Sequence, residues 1–170
     1  MPTKNVLILD TSILCVWLKV PGKVTCGSGP SCIDFSKVDK EIQTAVKLNY
    51  TLVLPLASII ETGNHITQAS QWRHERAQDL AGLMLKAADE ASPWAAFSDQ
   101  QVLWSAAGLK SLAVKWPNLA AQKLSIGDAT ISEVADYYAK MGFEVEVYTG
   151  DQGLKKHCTI GALPQPRRRK

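Results

Sequence analysis

The sequence predicts an α/β fold around a mostly parallel central sheet. Two short apolar runs, Val6-Leu7-Ile8-Leu9 and Thr51-Leu52-Val53-Leu54, read as buried strands. A third run, Phe143-Glu144-Val145-Glu146-Val147-Tyr148, alternates apolar with polar residues as a half-buried strand does. Helix-period segments separate all three. Strands joined through helices run parallel with right-handed crossovers.

The elements follow in order. The first strand closes on Asp10, and Thr11-Ser12-Ile13-Leu14 turns into a helix with Thr11 or Ser12 as an N-cap. Residues 21–35 are rich in Gly, Pro, Ser and Cys and read as a loop. A helix is expected from Ser36 to Asn49, because Val38, Ile42, Ala45 and Val46 keep the 3.6 period. Pro55 ends the second strand, and Ala57 to His65 begins a helix that carries Glu61. Ser70 to Glu90 is dense in strong helix formers, and Ser92-Pro93 breaks it. A helix over Asp99–Lys115 is expected to stop at Trp116-Pro117-Asn118. Gly127-Asp128 opens another that reaches Met141, with Gly142 placed to terminate it. A weak last strand is expected over Thr159–Ala162.

The chain has 170 residues, which fits one domain over residues 1–163 followed by a basic tail at 164–170. A hydrophobic share of 46% with 21% charged residues is that of a globular protein with its own core. No apolar run approaches the ~20 residues of a membrane helix. Residues 1–9 lack the apolar stretch of a secretory signal, so a cytoplasmic location is expected. The net charge of +3 points weakly to a polyanion, and Arg167-Arg168-Arg169-Lys170 supplies much of the excess. Cys15, Cys26, Cys32 and Cys158 lack CxxC spacing, so free thiols are expected rather than a zinc site.

Parallel sheets bind ligands at the carboxyl ends of their strands. Asp10 ends the first strand and Asp151 follows the alternating one at 143–148. Glu61 lies early in the helix after the second strand, and Asp128 lies at a helix start. All four can reach one edge of the sheet. Carboxylates brought that close repel one another. A hard cation resolves the repulsion, and oxygen donors without His/Cys spacing favour Mg²⁺ or Mn²⁺ over zinc. Such a site implies phosphodiester hydrolysis.

Four segments in order carry a resemblance: Val6-Leu7-Ile8-Leu9-Asp10-Thr11-Ser12, Ser58-Ile59-Ile60-Glu61, Gly127-Asp128-Ala129-Thr130-Ile131 and Tyr148-Thr149-Gly150-Asp151. The chain resembles the PIN-domain nuclease family, which includes the toxins of bacterial type II toxin–antitoxin modules. The resemblance implies a three-layer α/β/α sandwich and single-stranded RNA cleavage with Mg²⁺ or Mn²⁺. It implies that Asp10, Glu61, Asp128 and Asp151 are the catalytic and metal-holding acids. Thr11, Ser12 and Thr149 would hydrogen-bond a carboxylate or a metal-bound water. An antitoxin partner and a homodimer are further implications. The loop at 21–35, the helical stretch near 92–118 and the basic tail depart from the small toxins.

Other residues are candidates for the RNA. Lys155 and Lys156, just past Asp151, are placed for backbone phosphates, and Arg73 and Arg76 share a helix with Trp72 and His74. His65 and Asp136 lie at the margin of the expected site. The sequence therefore predicts a metal-dependent endoribonuclease, with a toxin or defence role. The alternatives are a structure-specific DNA nuclease and a non-catalytic nucleic-acid-binding module.

Overall fold

The computed structural model describes residues 3–161, with side chains only to residue 158 at the C-terminal end. Strand β1 (Asn5–Leu9) is central, flanked by β4 (Thr51–Val53) and β5 (Glu144–Tyr148), and all three run parallel. Val6 pairs with Thr51 on one side and with Val145 on the other. A separate two-stranded antiparallel piece, β2 (Thr25–Cys26) with β3 (Ile33–Asp34), lies within the loop expected over 21–35. The helices are α1 (Thr11–Trp17), α2 (Phe35–Lys47), α3 (Leu56–Gln68), α4 (Arg73–Ala88), α5 (Ala106–Ala121), α6 (Ile126–Lys140) and α7 (Gln152–Gly161).

The alternation along β1 divides the core. Leu7 and Leu9 join Ile13, Val38, Ile42, Leu52 and Leu80 on one face. Val6 and Ile8 join Val53, Ile131, Val134 and Leu154 on the other. Helices α1, α2 and α4 thus cover one face, and α6 and α7 cover the other. Residues 6–9 are at most 3% exposed, as a strand buried on both faces requires. Each such Val, Leu or Ile adds about 1.5–3 kcal/mol of burial. The outer edge of β4 is closed by the segment around Trp94: Leu52 N donates to Pro93 O at 2.8 Å, and Ala95 N to Leu52 O at 2.8 Å.

The structure corrects several expectations. The helix expected over Asp99–Lys115 divides in two. Phe97–Trp104 is 3₁₀, and Ser105 caps α5 by accepting from Gly108 N at 3.1 Å. A Cβ on Gly108 would collide with the Leu103 carbonyl, so only glycine lets the two pieces meet so closely. Pro117 does not end α5, which continues to Ala121. Pro117 forgoes one backbone bond, while Trp116 and Leu119 anchor the last turns against Leu112, Leu124 and Ala129. The backbone over 159–161 is the end of α7 rather than a strand. Residue 162 and the basic tail at 164–170 lie outside the described residues. The N-cap expected at Thr11 or Ser12 falls to Asp10, although the Asp10 side chain caps nothing. Among the described residues, no helix is long and apolar enough to cross a membrane.

Candidate active site

Asp10 is set by the end of β1. Its backbone N donates to Tyr148 O at 3.1 Å, which holds the C-terminal ends of β1 and β5 level. Its side chain is 4% exposed. Ser12 Oγ donates to Asp10 Oδ2 at 2.9 Å, and Thr149 Oγ1 donates to the same oxygen at 2.6 Å. Two hydroxyls on one oxygen fix the orientation of this carboxylate, and Asp10 lines the cleft. Ser12 Oγ also accepts from Gly150 N at 2.9 Å, and Thr149 Oγ1 from Asp151 N at 2.9 Å. One small network therefore ties the first and last acids together.

Glu61 arrives on α3. Ser58 Oγ, on the same helix, donates to Leu9 O at 2.8 Å and pins the helix to the end of β1. Thr11 Oγ1 donates to Glu61 Oε2 at 3.0 Å. The Glu61 carboxyl lies against the start of α6, where a Cβ on Gly127 would strike Oε1. Asp128 is the third residue of α6. The capping role belongs to Ser125, whose Oγ accepts from Asp128 N at 3.0 Å, so the Asp128 carboxyl is not consumed as a cap. Asp151 does cap a helix: its Oδ1 accepts from Gly153 N at 2.8 Å and Leu154 N at 3.2 Å. It still borders the same cleft as Asp10, Glu61 and Asp128.

The electrostatics follow from this crowding. Burial pushes the Asp128 carboxyl up to about 6, and the negative charges of Asp10, Asp151 and Glu61 add to the rise. Cys15 and Cys26 also line the cleft. Burial raises both thiols, Cys15 to about 11, so they stay protonated and ligate poorly near neutral pH. All four cysteines are free.

The cleft has a volume of about 550 Å³. Of the expected phosphate contacts, none lines it. Lys155 borders a different groove along β5. Lys156 is exposed on α7. Arg73 Nε donates to Ala69 O at 2.6 Å, and Arg76 is committed to Leu18 O at 3.0 Å and Asp79 at 3.1 Å. Asp136 lies on the groove along β5, whereas His65 does line the acidic cleft. Sequence reasoning missed Lys23 and Lys123, which border the cleft from the 21–35 segment and from the turn between α5 and α6. Neither belongs to a motif. Only the folding of the Gly/Cys-rich segment beside the acids shows Lys23.

Among the described residues, no group of three or more Asp, Glu, His or Cys side chains is placed to hold a metal ion. Mg²⁺ is usually held by one or two carboxylates, with waters and substrate phosphate completing its shell. The carboxylates that line the cleft are oxygen donors of the kind that such an ion takes. Compared with family models, curated proteins and solved structures, the chain matches none.

Proposed function

We propose that the chain is a metal-dependent nuclease of the PIN-domain kind, with that family's three-layer α/β/α sandwich, that hydrolyses RNA phosphodiester bonds. The observation that carries this reading is the convergence of Asp10, Glu61, Asp128 and Asp151 on one cleft, each from a different segment of the chain. One or two of Asp10, Glu61, Asp128 and Asp151 would hold Mg²⁺ or Mn²⁺, with water and substrate phosphate completing its shell. When bound, such an ion polarises the scissile phosphate and makes a water nucleophilic near neutral pH. Thr149 and Ser12 keep Asp10 aimed at the cleft, and Thr11 does the same for Glu61. Burial and the neighbouring acids raise the Asp128 carboxyl to about 6, and a bound cation would favour its ionised form. The preference for RNA and the antitoxin partner rest on the resemblance of the four motifs.

The test is cleavage of labelled single-stranded RNA with Mn²⁺, with Asp10→Asn protein and a branched DNA assayed in parallel. RNA cleavage by the parent and not by the variant is expected. Equal cleavage by both proteins, or none by either, would sink the reading. Cleavage of the branched DNA alone would move it to a DNA nuclease.

A further inference from the structure

We propose that Lys23 and Lys123 form a phosphate clamp at the rim of the acidic cleft, gripping the backbone of a single-stranded RNA whatever its bases. The proposal deepens the nuclease reading and rests on it for the identity of the strand.

Both lysines are exposed, and both border the cleft whose walls carry the four acids. Yet neither is paired with an acid. The ion pairs among the described residues are Arg76–Asp79 and Lys115–Glu133. A lysine placed to neutralise the acids would stand within the 4.0 Å of an ion pair from one of them. These two do not. The cleft therefore carries both charges, with Asp10 buried and Lys23, Lys123 and Asp151 exposed. A cation with a phosphodiester strand over it presents the complementary charges.

The backbone at each lysine is held in place. Lys23 N donates to Val20 O at 2.9 Å, closing a turn next to Gly22 at φ +82°. Lys123 N donates to Ala120 O at 2.9 Å, and Lys123 itself lies in the left-handed region at φ +64°. This is the helix-closing position after α5, as Lys19, Asn49 and Glu90 are after α1, α2 and α4, and Leu124 N donating to Leu119 O at 3.0 Å completes the turn.

The lining also says what the clamp does not read. Among the described lining residues, there is no Phe, Tyr or Trp, and His65 supplies the only ring. Proteins that hold single strands by their bases stack them on aromatic side chains. Here the rim offers point charges instead. Lysine meets a phosphate as a point charge and carries no base code.

The experiment measures binding, so that it stands apart from cleavage. Labelled oligouridylate and oligoadenylate RNAs are titrated by fluorescence anisotropy across a range of salt, using Asp10→Asn protein as the parent. Lys23→Ala and Lys123→Ala are each expected to lower the slope of log affinity against log salt by about 0.7. The double variant should lower it by twice that and weaken binding several-fold at low salt, equally for both RNAs. Lys→Arg at both positions should retain the parent slope, and thermal melts identify any variant that has lost its fold. An unchanged slope in a folded double variant overturns the clamp and leaves the nuclease reading standing. A reduced slope in a protein whose wild type cuts no RNA keeps the clamp and sinks the nuclease reading. No RNA binding by the parent overturns the clamp, and wild-type cleavage alone then decides the nuclease reading.

Discussion

At Asp10, two hydroxyl donors converge on one carboxylate oxygen, and Thr149 is the closer of them at 2.6 Å. Thr149 is itself buried, and its oxygen also accepts from Asp151 N. Thr149→Val keeps the shape of the side chain and removes both interactions. Groups that orient a ligand typically change metal affinity about 10–100-fold when lost. Calorimetric titration of Thr149→Val with Mn²⁺ should show a weakening of that order, and an affinity equal to wild type would exclude the orienting role. Asp128 makes a pH prediction. Its carboxyl in the fold is raised from 3.8 to about 6, so folding favours its protonated form. The contribution of a raised acid is fully present below its unfolded value and is lost as pH rises through the folded one. In metal-free protein, Asp128→Asn should therefore gain thermal stability relative to wild type as pH is raised from about 4 to about 7. A difference that stays flat or reverses over that range would contradict the burial and repulsion acting on Asp128.

At the scale of elements, the N-terminus of α3 matters most, because α3 carries Glu61. Pro55 precedes the helix and offers no side-chain cap. Gln100, from the 3₁₀ segment, does the work from a distance. Its Oε1 accepts from Leu56 N at 3.1 Å, and its Nε2 donates to Leu54 O at 2.9 Å. Gln100 is 3% exposed, so its removal strands two backbone groups. Gln100→Ala should cost about 1–3 kcal/mol, which is about 2–4 °C of Tm for each kcal/mol in a domain of this size. Denaturant unfolding measures this directly, and a loss well below 1 kcal/mol would mean that water replaces the amide. Gln100 also marks the limit of sequence reading. The strands at 6–9 and 51–54 were legible because their apolar runs are short and continuous. Helix α6 was legible from Gly127 to Met141, though its cap is Ser125, two residues earlier. The 3₁₀ turn and the passage of α5 through Pro117 were not legible. They depend on contacts with Leu103, Leu124 and Ala129 that no local pattern encodes.

Across the whole molecule, a parallel sheet with helices between its strands was visible in advance, as was the gathering of four acids at one edge of it. Asp10 and Glu61 owe their legibility to local position: one ends a strand, and the other follows one. The basic side of the cleft was not legible. It is assembled from the segment at 21–35 and the α5–α6 turn, which lie about a hundred residues apart in the chain. Arginines that look suited to RNA in the sequence are instead spent on Ala69, Leu18 and Asp79. A cation bound only by the folded state must also stabilise that state as a whole. At one hundred times its dissociation constant, Mn²⁺ should add about 2.7 kcal/mol. A rise in Tm with Mn²⁺ that is absent in Asp10→Asn protein is expected, and the same rise in both would place the ion elsewhere.

The bare backbone at Gly127 has a practical consequence. Any side chain there must displace Glu61, since even a methyl group would overlap Oε1. Gly127→Ala is therefore expected to push the Glu61 carboxyl away from its place beside α6 and to lower RNA cleavage, with every acid and every lysine still in the chain. Its charge inventory is that of the wild type, with one carboxylate shifted within the cleft. Retained RNA cleavage by Gly127→Ala at wild-type rates would show that Glu61 can move aside without loss. A silent variant that still binds RNA would separate holding a strand from severing it.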